Sequence, residues 1–197
     1  MKRVRVLLGL IVGAVTLAGC TLVSTTSSPQ GIAPKDVPFC LRCKTIPGTN
    51  NGSVHFISQP VYIVDATGHL APSARIVPSP PVLVSVLRQL IIGPTKIESF
   101  AGYTSALPKN LIVLSANFHG DIGYVDLATS LSKLPRGQEV LAVGQMVLTA
   151  RDVGLTSDMA IKGIEITVGG VPQDLPIPGG HVERLVTPDD FQALTNS

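Results

Sequence analysis

The 197-residue sequence contains no tryptophan, only five phenylalanines and three tyrosines, three cysteines, and charged side chains at 14% of positions. Each scarcity removes a class of function. With so few rings to stack on bases and 15 Lys+Arg against 13 Asp+Glu, the chain lacks the basic, aromatic-studded surface of a nucleic-acid binder. Low charge here does not mean disorder, because 45% of residues are hydrophobic, enough to form a core. No apolar run approaches the roughly 20 residues needed for a permanent membrane-spanning helix. The four histidines, His55, His69, His119 and His181, show no HxxxH or HExxH spacing that would set two ligands on one helix face, and G-x-S-x-G is absent. No metal site and no cofactor is expected.

What is present begins with an address. Lys2, Arg3 and Arg5 form a basic head, and no acid precedes Asp36. Val6 to Ala18 is apolar but for Thr16, too short to stay in a bilayer and of the length of an export signal. It ends in Leu17-Ala18-Gly19-Cys20, which resembles the bacterial lipobox. There the cysteine receives a diacylglyceryl thioether and becomes the first residue after cleavage. Residues 1–19 are thus expected to be a lipoprotein signal peptide. Acylated Cys20, carrying chains such as palmitate, is expected to hold the protein in the lipid bilayer on the extracytoplasmic side of the cell membrane. Each buried methylene contributes about 0.8 kcal/mol, and two chains suffice for stable anchoring. Removing the leader also removes three basic side chains, leaving 12 basic and 13 acidic and a mature charge of −1.

Residues 20–53 are expected to be the lipidated cysteine and a flexible tether. The stretch is rich in Ser, Thr, Pro, Gly and Asn without a sustained period, and a coil of this length spans about 30 Å. Cys40-Leu41-Arg42-Cys43 interrupts it. A zinc site would need four ligands, and no second pair exists. Haem attachment needs His after the second cysteine, where Lys44 stands. A thioredoxin-like pair should open a helix, yet Pro38 precedes and Pro47-Gly48 follows. Outside the cytoplasm the expectation is a disulfide between Cys40 and Cys43, stabilising by about 2 kcal/mol through the unfolded chain. An envelope thiol–disulfide function for the pair is the alternative.

From residue 54 to 197 the periodicity is that of one folded domain. Val54 to Val64 alternates as a strand, and Ala74 to Val77 returns. After Pro80-Pro81, Leu83, Val86, Leu87, Leu90 and Ile91 form the buried stripe of a helix stopped by Gly93-Pro94. Leu111 to Phe118 and Ile122 to Leu127 make a hairpin about His119-Gly120-Asp121. A second helix is predicted over 138–151 with Val140, Val143, Val147 and Ala150 inward; Gly144 would permit close approach to the sheet. Ile161 to Val168 and Val182 to Val186 read as strands. Thr187-Pro188-Asp189-Asp190 caps a short terminal helix. The order points to an α+β fold: a mainly antiparallel sheet, two main helices on one face, and a short C-terminal helix.

Catalytic motifs are fragmentary. Ser130-Leu131-Ser132-Lys133 matches S-x-x-K, but the companions S-D-N and K-T-G are missing. Gly93-Pro94-Thr95-Lys96 has only the tail of a phosphate loop. Asp121 and Asp126 flank a hairpin turn and read as a turn former and a capping or solvated residue, with His119 exposed beside them. Gln145, an amide amid apolar residues, must find partners if buried; a structural bond to sheet or hairpin backbone is expected over ligand contact.

Leu90-Ile91-Ile92-Gly93-Pro94, Thr104-Ser105-Ala106-Leu107-Pro108, Gly120-Asp121-Ile122-Gly123-Tyr124-Val125-Asp126-Leu127 and Ala142-Val143-Gly144-Gln145-Met146-Val147-Leu148-Thr149 occur in an order that resembles the GerMN domain. That domain is named for sporulation and spore germination and occurs in envelope lipoproteins, including actinobacterial ones. The resemblance runs from about Val82 to Leu194. It implies a small extracytoplasmic α+β domain used for interaction, with no catalytic residue to carry over. The expected protein is a lipoprotein, not an enzyme, whose domain binds or scaffolds an envelope protein or a cell-wall component. A small-ligand carrier would instead need a sizeable apolar pocket.

Overall fold

The computed structural model describes residues 54–195. The signal segment, Cys20, the tether, and Cys40 and Cys43 lie outside the described residues.

Strands β1 (Phe56–Val64) and β2 (Leu70–Pro78) pair antiparallel with Ile57 opposite Val77 and Ile63 opposite Ala71. The hairpin contains three prolines, and their placement explains how a strand tolerates them. Val64 exchanges both backbone bonds with Thr104, so its amide points away from β2. Alternate residues do the same, which puts Pro60, Pro72 and Pro78 on outward edges where a missing N–H breaks no ladder bond. The connecting loop closes on Asp65, whose Oδ1 accepts from the amides of Thr67 at 2.8 Å and His69 at 3.0 Å.

Helix α1 (Leu83–Ile92) buries Leu83, Val86, Leu87 and Leu90 as its spacing predicts, with Ile91 half-buried, and ends at Gly93 at φ 83°. A one-turn helix, α2 (Lys96–Phe100), follows and buries no side chain at all. Next come β3 (Val113–His119) and β4 (Ile122–Leu127), an antiparallel hairpin turning through Gly120 at φ 62°.

The second helix, α3, runs from Arg136 to Thr156, longer at both ends than the periodicity indicates. It links β4 to β5 (Gly163–Val168), which lies parallel to β4. Parallel neighbours require a crossover of about this length, and α3 supplies it. It packs against β1, β2, β5 and α1. Residues 142–150 are therefore buried on every side, beyond the single inward stripe, while Val140 at its start is only half-buried. Close approach explains Gly144: a Cβ there would lie 2.7 Å from Leu70 and 2.7 Å from Phe191, both completely buried.

The chain is an α+β fold with several helices, its strands antiparallel except at the β4–β5 pair. Its strands divide among a β1–β2 sheet, a sheet in the order β3-β4-β5-β6 (Val171–Pro172 as β6), and a small pair, β7 (Leu175–Pro176) with β8 (Val182–Glu183). The strand expected over 182–186 splits at Arg184: β8 joins β7, and β9 (Leu185–Val186) joins β5. A terminal 3-10 helix, Pro188–Leu194, opens with the capping box of Thr187 and Asp190.

Candidate functional site

The polar side chains of the interior collect around α3. Gln145 is completely buried. Its Nε2 donates to the Tyr62 carbonyl at 2.7 Å, and its Oε1 accepts from the Ala106 amide at 2.8 Å. One turn on, buried Thr149 accepts from the Tyr62 amide at 3.0 Å. These two side chains complete the backbone of Tyr62, a residue whose edge faces away from β2. Gln145 thus does what its sequence context requires: it ties the helix to β1 and to the loop before β3. Gln138 adds a bond to the Ala106 carbonyl at 2.9 Å.

Beyond them, Arg151 donates to the Tyr62 hydroxyl at 2.5 Å and pairs with Asp152 at 2.7 Å. Burial, with the Asp152 charge adding to it, raises the Tyr62 phenol above its ordinary value. Another buried amide, Gln59, has no partner for its Oε1 among the described residues.

A second cluster holds α2 in place. Thr95 and Glu98 form a capping box, the reciprocal pairing of an N-cap hydroxyl with an acid three residues on. Glu98 also receives the Arg75 guanidinium at 2.9 and 3.0 Å and the Ser73 hydroxyl, while Arg75 reaches the Gly93 carbonyl at 3.1 Å. Desolvation pushes the Glu98 carboxyl up, but the hydrogen bonds from Arg75, Ser73 and Thr95 together outweigh it, and it is lowered to about 2. Arg75 and Ser73 carry no periodic or motif signal. Only Thr95-x-x-Glu98 was available to be read, and α2 is too short to display a period.

At the start of α3 a small cleft, open to solvent, is lined by Ser130, Ser132, Glu139, Gln173 and Asp174 over an apolar floor. Glu139 is 7% exposed and no hydrogen bond from a described residue reaches its carboxylate; desolvation raises it above the ordinary value, the Arg136 charge opposing. Ser130-Leu131-Ser132-Lys133 forms a single 3-10 turn here. Ser130 accepts from the Ser132 amide at 3.1 Å, an N-cap in place of a nucleophile's setting.

The hairpin acids also fall into structural roles. Asp121 pairs with Lys162 at 2.6 Å, which lowers its carboxyl. Asp126 accepts from the Thr167 hydroxyl at 2.6 Å and the Gly170 amide at 2.9 Å, fixing the β5–β6 turn. His119 is exposed and meets Tyr124 edge-on at 5.4 Å. Among the described residues no three His, Cys, Asp or Glu side chains stand together as metal ligands. No described helix is long and apolar enough to cross a membrane.

A crossover helix packed against the β1–β2 hairpin and β5, and tied to β1 and the loop before β3 through Gln138, Gln145 and Thr149, defines this α+β domain. Residues 60–174 match the family model Germane, described as "Sporulation and spore germination", and the chain belongs to that family. The match takes in the β1–β2 hairpin, which the motif resemblance from Val82 onward does not reach. No curated protein matches the chain.

Solved structures similar to it include the tandem GerMN domains of the sporulation protein GerM from Bacillus subtilis, with 14% identity, a TM-score of 0.49, 69% of this chain and 48% of that one covered. This chain therefore spans about half of that tandem protein. The first GerMN domain alone of that protein gives 15% identity and a TM-score of 0.48, covering 68% of this chain and 98% of that one. A putative lipoprotein from Clostridium perfringens gives 18% and 0.40, with 72% and 93% covered.

Proposed function

We propose that this protein is a membrane-anchored envelope lipoprotein whose GerMN domain is a non-catalytic binding or scaffolding module. Its partner is an envelope protein or a cell-wall component. The observation that supports the module reading is the use made of the interior polar groups. Of the buried polar side chains, Gln145 and Thr149 bond to the chain's own backbone, and the mostly buried Glu98 is saturated by Arg75, Ser73 and Thr95. Recognition then belongs to the surface. Anchoring rests on Leu17-Ala18-Gly19-Cys20 following a short apolar run.

Complementation of a deletion strain tests this reading. Cys40→Ser/Cys43→Ser is expected to retain function and Cys20→Ala to lose it. The reverse pattern would transfer the function to a thiol–disulfide reaction at Cys40 and Cys43. Crosslinking in intact cells, with identification of what is captured, would then name the partner.

A further inference from the structure

The α1–α2 corner presents its apolar side chains outward. Ile92 is 73% exposed, Ile97 82% and Phe100 92%. A five-residue helix with no buried side chain has no hydrophobic reason to be ordered where it stands. It is held by polar groups instead: the Thr95–Glu98 capping box and the bonds from Arg75 to Glu98 and to the Gly93 carbonyl. The fold thus fixes Ile97 and Phe100, three residues apart on one face, on a rigid polar mount facing solvent.

The unpaired charges carried by the two helices have one sign. Arg88 precedes Ile92 by one turn of α1, Lys96 precedes Phe100 by one turn of α2, and both are exposed with no salt bridge among the described residues. The one acid of the two helices is Glu98, already neutralised by Arg75 and four-fifths buried. Two exposed cations beside three exposed apolar side chains make an interfacial pattern, apolar groups for the acyl boundary and cations for anionic headgroups.

We infer that this corner is a membrane-contact surface, laying the domain against anionic lipid of the bilayer that holds its anchor. The inference rests on the reading of Cys20 as lipid-modified. A flexible tether over residues 21–53 would hold the domain at a root-mean-square distance of about 30 Å from the lipid surface. A contact too weak to recruit a free protein is sufficient at such an effective concentration.

The absence of native tryptophan supplies a clean reporter. Phe100→Trp, at a solvent-exposed position, is introduced into the full acylated chain and reconstituted into phosphatidylglycerol-containing vesicles with brominated acyl chains. Val171→Trp is the control: it is 62% exposed on β6, at the opposite edge of the sheet from the β3 strand that α1 packs on. The indole of the Phe100→Trp variant is expected to emit at shorter wavelength and to be quenched at least twofold by brominated lipid, with the emission of the Val171→Trp variant unchanged. Adding Arg88→Glu/Lys96→Glu to the Phe100→Trp chain is expected to abolish the quenching.

Solvent-like, unquenched emission from the Phe100→Trp variant, in a chain shown by mass to carry lipid on Cys20, would overturn the surface while leaving the anchor intact. Absence of lipid on Cys20 would overturn the anchor itself, and the contact with it. A blue shift that needs protein concentration and not lipid would assign the corner to a second copy instead.

Discussion

Gln145 and Glu139 are polar residues on the same helix, and burial treats them in opposite ways. Both amide atoms of Gln145 are used, on Tyr62 and Ala106. Gln145→Leu preserves volume but leaves a carbonyl and an amide unpaired inside the protein, at about 1–3 kcal/mol each. The expected loss in chemical denaturation is therefore about 2–6 kcal/mol with an unchanged m-value.

Glu139 has no such bonds, and desolvation raises its carboxyl. The folded state then holds this proton more tightly than the unfolded state. Its favourable contribution is complete below the ordinary value of 4.5 and is lost as pH rises through the folded value. Glu139→Gln is expected to raise the melting temperature at pH 7, with the gain shrinking below pH 4.5. An equal gain at both would contradict a buried carboxylate as the cause.

That Gln145 would be bonded to backbone was legible from a lone amide in an apolar run. Its partners were not, because they come from β1 and from the loop before β3, both distant in sequence. Glu139 carried no signal, since a first-turn acid is ordinarily solvated.

The elements with strong periods are where their spacing places them: α1 with its stripe, β4 over Ile122–Leu127, and the capped turn after Thr187. Misjudged lengths and faces have a common physical source. The α3 stripe looks one-sided only if one sheet covers it, whereas strands of two sheets and α1 enclose it. The parallel β4–β5 pairing follows from that same crossover and leaves no local mark in the sequence.

Helix α2 depends on side chains far from it in sequence, and its stability should follow their ionisation. With Glu98 depressed to about 2 from an ordinary 4.5, its contribution is complete above 4.5 and lost as pH falls toward 2. Arg75→Met is expected to cost about 1–3 kcal/mol at pH 7, as a partly buried, charge-assisted pair does. The cost should shrink once Glu98 is protonated. Amide exchange over residues 95–101 should rise in that variant ahead of the rest of the chain, because no hydrophobic burial holds the turn.

At the scale of the whole molecule, two scarcities turn out to be connected. Few charges and few aromatics describe a domain whose interior is aliphatic, with Phe191 the one fully buried phenylalanine among the described residues. The rings that remain include exposed Phe100 beside Lys96. Residues 20–197 carry 12 basic and 13 acidic side chains, so basic character on the folded part is local, as at the α1–α2 corner. Membership of the sporulation and spore germination family was legible from motif order, because hairpin and helix motifs kept their spacing. The β1–β2 part was not, since its strands carry no distinctive residues.

Lipid anchoring at Cys20 is the premise on which the envelope role stands, and detergent-phase partitioning tests it most directly. Wild-type protein expressed with its leader is expected to enter the detergent phase, its first residue a diacylglyceryl-modified Cys20, while Cys20→Ala stays in the aqueous phase. Identical partitioning of the two, with an unmodified Cys20, would contradict the lipoprotein assignment.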